Sequence, residues 1–119
     1  MRRAYSQRAI LMSPGDPAAH VSISAIAHAH MGLASYEKAL RATEQSLAIN
    51  PNYPPTFWML IAANALLGRM EEAKRWLAKF RALLPDITIA RIRDGQPHKD
   101  PRAMAAIFEG LRLAGLEEG

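Results

Sequence analysis

The sequence predicts an all-α protein built from a repeated helical hairpin, and three observations carry that expectation. The chain resembles itself at a spacing of 34 residues. Ala34-Ser35-Tyr36-Glu37-Lys38-Ala39-Leu40 aligns with Gly68-Arg69-Met70-Glu71-Glu72-Ala73-Lys74, and Ile26, Ala39 and Pro51 fall 34 positions before Leu60, Ala73 and Pro85. A fixed period of this length marks stacked supersecondary units. Next, Ile23, Ile26, Ala27 and His30 recur at i, i+3, i+4 and i+7, as do Phe57, Leu60, Ile61 and Asn64, so each set shares one helical face. Finally, Asn50-Pro51-Asn52-Tyr53-Pro54-Pro55 ends one helix and opens another, because proline cannot continue the i to i−4 ladder yet suits a first turn.

Taken in order, residues 3–13 read as the second helix of a preceding unit, since Ala9-Ile10-Leu11-Met12-Ser13-Pro14 echoes Ser46-Leu47-Ala48-Ile49-Asn50-Pro51. There the spacing is 37, which implies a short insertion at Gly15 to Pro17. The chain thus begins mid-repeat, and the half-unit needs Val21 to Leu33 or another chain to pack on. Residues 20–53 form the first full repeat and 54–87 the second, each a helix A, a turn at Ala34 or Gly68, and a helix B. Ala39 and Ala73 are expected where two helix axes cross. Residues 88–116 read as a divergent terminal pair that seals the array. A short helix near Ile87 to Ile92 and a loop from Arg93 to Lys99 lead to Asp100-Pro101, an N-cap with a first-turn proline. The helix after it carries Met104, Ile107, Phe108 and Leu111 on one face and ends at Gly115.

These residues and their period resemble the tetratricopeptide repeat family. The family's large apolar position near the start of helix A corresponds to Ile23 and Phe57, followed by Ile26 and Leu60. The residue after the turn is Tyr36 and Met70, the small helix B residue Ala39 and Ala73, the next inward position Thr43 and Leu77, and the closing proline Pro51 and Pro85. The sequence departs at Ile61, where Ala27 keeps the usual small residue, at His30 and Asn64 in place of tyrosine, and at Phe80 opposite Ser46. The resemblance implies a right-handed α-α superhelix, residues 1–119 forming a single domain, and a protein- or peptide-binding role. The tail from Leu84-Pro85-Asp86 to Leu116 is similar to the C-terminus of bacterial proteins in which such repeats follow a class III adenylate cyclase or winged-helix domain. What that implies is a regulatory arm, since neither the cyclase aspartates nor a winged-helix segment is present.

Composition sets the outer limits. The 119 residues suit one domain, and the absence of cysteine excludes disulfide scaffolds, cysteine zinc sites and thiol catalysis. Half the residues are hydrophobic, which argues against a disordered chain. Met1-Arg2-Arg3 is not followed by a signal-peptide core, and the apolar run Phe57 to Leu67 is about half of the ~20 residues needed to cross a bilayer. A cytoplasmic protein without membrane contact is expected.

Catalytic and metal chemistry are not expected, and neither is a cofactor. His28 and His30 are two apart and diverge on a helix, whereas a metal pair needs about i, i+4. His98 reads as a solvated loop residue, and Glu71-Glu72 and Glu117-Glu118 lack the apolar pocket that perturbs a carboxylate. Seven cations lie between Arg69 and Arg93 against Glu71, Glu72 and Asp86. A nucleic-acid site on the basic helix 69–81 is the alternative function, with regulation of an adenylate cyclase as a further one. However, Lys74, Arg75, Lys79 and Arg81 interleave with Ala73, Leu77 and Phe80, which puts them on an outer solvated face, with Glu71 and Arg75 paired at i, i+4. Nucleic acid is therefore disfavoured as a partner. The resemblance assigns the binding groove to the concave helix A surface, at Val21, Ser24, His28, Met31, Pro55, Trp58, Ala62 and Ala65. Trp58 is the expected anchor, with a core position beside Phe57 as the alternative. The expected partner is a protein or peptide, or a second copy of the chain.

Overall fold

The computed structural model describes residues 19–96 and 100–119; the expected helix over 3–13, Lys99 and His98 lie outside the described residues. Among the described residues six helices follow one another, α1 (Ala19–Gly32), α2 (Tyr36–Ile49), α3 (Pro54–Leu66), α4 (Met70–Leu83), α5 (Ile89–Asp94) and α6 (Pro101–Ala114), and no strand. All but the short α5 are 13 or 14 residues long.

The 34-residue period is written in the backbone as well as in the side chains. Between α1 and α2, Ala34 turns through φ 59°, and between α3 and α4 Gly68 turns through φ 81°. This left-handed step lets each hairpin close, and glycine adopts it without the strain an alanine Cβ introduces. The Ser35 N–H donates to the His30 carbonyl at 2.8 Å, and 34 residues later the Arg69 N–H donates to the Asn64 carbonyl at 2.8 Å. Ser35 and Arg69, the N-cap residues, share φ −93° with ψ of 67° and 66°. The two hairpins are the same local structure encoded twice.

Helix α3 sits at the centre. Every residue from Thr56 to Ala65 is buried, as expected of a helix apolar all round rather than along one stripe. It packs against α2, α4 and α6, with a lesser contact to α1. Two prolines, Pro54 and Pro55, open it, where the missing N–H groups are not needed. On the α4 side Phe57 stacks on Phe80, with ring centroids 5.6 Å apart, and meets Trp76 edge-on at 6.1 Å. The bulky Phe80 that replaces Ser46 in the repeat is fully buried. Ala39 and Ala73, which were expected at helix crossings, are likewise fully buried.

Helix α6 is capped as its sequence indicates. The Asp100 carboxylate accepts from the Arg102 N–H at 3.0 Å, Pro101 takes the first turn, and Gly115 ends the helix at φ 110°. Its buried face contains Met104, Ile107, Phe108, Gly110, Leu111 and Ala114. The face packs on α3 and α1, with only a slight contact to α4, so α6 runs across the helix A elements of both hairpins. The last residues then tie the ends together: the Ile89 and Ala90 N–H groups donate to the Glu117 and Glu118 carbonyls at 2.9 and 2.8 Å. Leu116 is buried beneath, and the Arg81 guanidinium donates to the Gly115 carbonyl at 2.8 Å.

Candidate partner-binding surface

The eight residues expected to line a groove do not share one fate. Val21 is exposed, and Pro55 is half-buried. Met31, Trp58, Ala62 and Ala65 are buried, Trp58 at 6% exposure. At Ala62 the cover is α6, which packs on α1 and α3. A Cβ built on Gly110 falls 2.5 Å from the Ala62 Cα and 2.6 Å from its carbonyl oxygen, so the two helices meet backbone to backbone at that point. Nearby, His28 Nε2 lies 3.3 Å from the Met104 sulfur, and the tautomer protonated at Nε2 donates to that thioether. His28 and Ala62 are thus brought together with α6, and the helix A surface already carries a helix.

Ser24 belongs to a different environment. Its hydroxyl lies 2.8 Å from Ser46 Oγ, buried between α1 and α2. Ser46 Oγ donates to the His20 carbonyl at 3.0 Å, which leaves its lone pairs for the hydroxyls of Ser24 and, at 3.4 Å, Thr56. Three small buried hydroxyl residues from three helices therefore satisfy one another where α1, α2 and α3 meet. This seam joins α1, α2 and α3. Among the described residues two buried polar atoms, Trp58 Nε1 and His30 Nδ1, have no hydrogen-bond partner. An unpaired buried donor such as the Trp58 N–H costs about 1–3 kcal/mol.

The electrostatics are dominated by exposed pairs. Arg75 pairs with Glu72 at 2.6 Å rather than with Glu71 as its spacing indicates, because the i, i+3 position brings the carboxylate under the guanidinium. Arg69 pairs with Glu37 across the two hairpins. Arg93 stacks over Phe108 and pairs with Glu118 at 2.8 Å, and its hydrogen bond to Glu118 holds that carboxyl below the usual glutamate range. His30 is pushed below the usual histidine value, first by desolvation and then by Lys38 and Arg41. Among the described residues no three metal-ligating side chains cluster, and no helix is long and apolar enough to cross a membrane.

One aromatic escaped the sequence reading. Trp76 is half-buried on α4 with Lys79 Nζ 4.7 Å and the Arg75 guanidinium 5.6 Å from its ring centre. A tryptophan inside a run of cations is the signal that could have singled it out. No protein-family model matches the chain, and the comparisons with curated proteins and with solved structures give no match.

Proposed function

We propose that the chain is a non-catalytic protein-interaction module of the tetratricopeptide kind, taking an amphipathic helix of a partner on the helix A surface of α1 and α3. The observation that carries this reading is the seating of α6. A helix with one apolar face already lies across both helix A elements, and its Gly110 meets Ala62 at backbone distance. Helix-in-groove recognition reads such a face through anchors at i, i+3, i+4 and i+7. In α6 those anchors are Met104, Ile107, Phe108 and Leu111. A partner with the same pattern would compete with α6, which makes the module a regulatory arm whose own last helix sets the threshold for binding.

The test is a selection of displayed peptides on the full chain, followed by mapping of each selected peptide through amide shifts of the isotope-labelled protein. Amphipathic helical peptides that shift Met31, Ala62 and Ala65 and release Gly110 support the reading. Selected peptides that map elsewhere overturn it. So does a full chain that selects no peptide, or one that binds an oligonucleotide in preference to peptides at the same salt concentration.

A further inference from the structure

We propose that a second surface, the groove beside Trp76, docks a short acidic peptide carrying a large apolar side chain. The groove opens between the end of the first hairpin, at Leu47, Pro51 and Asn52, and the last turns of α4, at Trp76, Lys79 and Leu83. Its volume is about 510 Å³, room for one or two side chains. The floor is aromatic, since Trp76 meets the edge of Phe57, which in turn stacks on Phe80. Leu83 stands exposed at the mouth. A rigid aromatic floor with an exposed leucine beside it offers apolar area at little entropic cost.

Charge selects the occupant. Residues 46–55 along one wall carry no charge, while α4 from Lys74 to Leu83 carries four cations and no carboxylate. Two of the four are engaged, Arg75 by Glu72 and Arg81 by the Gly115 carbonyl. Lys79 pairs with no carboxylate among the described residues; its ammonium rests on the Trp76 ring. A carboxylate arriving next to an apolar side chain gives that ammonium a charged partner while the side chain covers the ring. Nucleic acid fits less well, because a phosphate track needs several free cations in line and the groove itself offers one. This surface is separate from the helix A surface, so either proposal can fail without the other.

The probe is a fluorescein-labelled octapeptide, Gly-Glu-Glu-Leu-Phe-Glu-Glu-Gly, added to the isotope-labelled full chain. Saturable binding is expected, with shifts at the Trp76 indole N–H and the Leu83 amide. Lys79→Glu, an exposed change that leaves the core intact, should weaken binding about tenfold, as should a probe with glutamine for every glutamate. Leu83→Asp should weaken it as well. Four outcomes overturn the proposal: no binding at about 1 mM probe, shifts confined to α1, α3 and α6, unchanged affinity in Lys79→Glu, or tighter binding of a twelve-residue oligo-dT at the same salt. Shifts confined to α1, α3 and α6 would leave the helix A reading standing.

Discussion

Replacing Gly110 by alanine isolates the contact on which the whole arrangement of α6 depends. The new Cβ would lie 2.5 Å from the Ala62 Cα, 2.6 Å from its carbonyl oxygen and 2.7 Å from its Cβ. Two of these atoms belong to the backbone of the most enclosed helix in the protein and cannot rotate away. The helix must therefore retreat, and a gap of 0.5–1 Å forfeits roughly a quarter to a half of each dispersion contact along Met104, Ile107, Phe108 and Leu111. Overpacking of this kind costs about 1–3 kcal/mol. The backbone nature of the clash places Gly110→Ala in the upper half of that range, about 2–3 kcal/mol. Against it stands the gain of alanine over glycine inside a helix, about 1 kcal/mol. The net expectation is a loss of about 1–2 kcal/mol. Urea unfolding followed by circular dichroism reads it directly, and the melting point should fall about 3–8 °C per kcal/mol. Ala62→Gly in the same chain should recover only part of the loss, since the Cα and carbonyl contacts remain. Ala105→Gly, on the exposed face of α6, supplies the propensity scale alone. If Gly110→Ala stabilises the protein by the amount that Ala105→Gly destabilises it, the close approach of α6 to α3 is refuted.

Further outcomes follow from other parts of the core and surface. Phe80→Ala removes a fully buried ring stacked on Phe57 and should cost about 3–5 kcal/mol in denaturant unfolding; a loss below about 1 kcal/mol would show that the aromatic cluster is not packed as described. His30 resists protonation in the folded state, so the unfolded chain takes up a proton first as pH falls through 6.5 and stability drops between there and the lowered folded value. His30→Gln should flatten that part of the stability profile, and an unchanged slope would refute the assignment. Glu118 shifts in the same direction, and its depressed folded pKa contributes stability above the ordinary glutamate value that is lost as pH falls through the folded one. Faster hydrogen exchange at the Ile89 and Ala90 amides in Glu118→Gln at neutral pH would report the loosened tail, and unaltered exchange would sever the link.

The hairpins were legible because their information is local. Period, turn and capping residues act within a few positions of one another: Gly68, Asp100 and Gly115 adopt the conformations their chemistry calls for, and Ala34 takes the same left-handed step as Gly68 against the preference of an alanine. The face against which α6 packs was not legible in the same way, because an apolar stripe states that a helix needs cover without stating from what. A signal existed in α3 itself. Thr56 to Ala65 offers no polar side for a groove to border, so a helix read as lining an open surface had to be covered on that side too. Ser24 was misplaced for a related reason: a small polar residue on a helix A surface can equally face a crossing, and only Ser46 and Thr56 beside it decide the matter.

The covered surface has a quantitative consequence for partner binding. Helix α6 belongs to the same chain as the surface it covers and follows α5 closely in sequence, so it competes at an effective concentration of roughly millimolar. An outside helix must overcome that competition, and its apparent affinity falls by the factor by which α6 prefers the surface to solvent. Linkage then makes the Gly110→Ala result double-edged. An undocked helix of 14 residues holds little structure of its own, so nearly all of the 1–2 kcal/mol loss is a loss of docking. A peptide copying residues 100–116 with its glycine intact should therefore bind the Gly110→Ala chain about 5- to 30-fold more tightly than the parent chain at 10 °C, where both remain folded. Fluorescence anisotropy of the labelled peptide measures the ratio. A variant that loses stability yet binds the peptide no better would separate the seating of α6 from partner recognition, and the helix A surface would then be a structural interface alone.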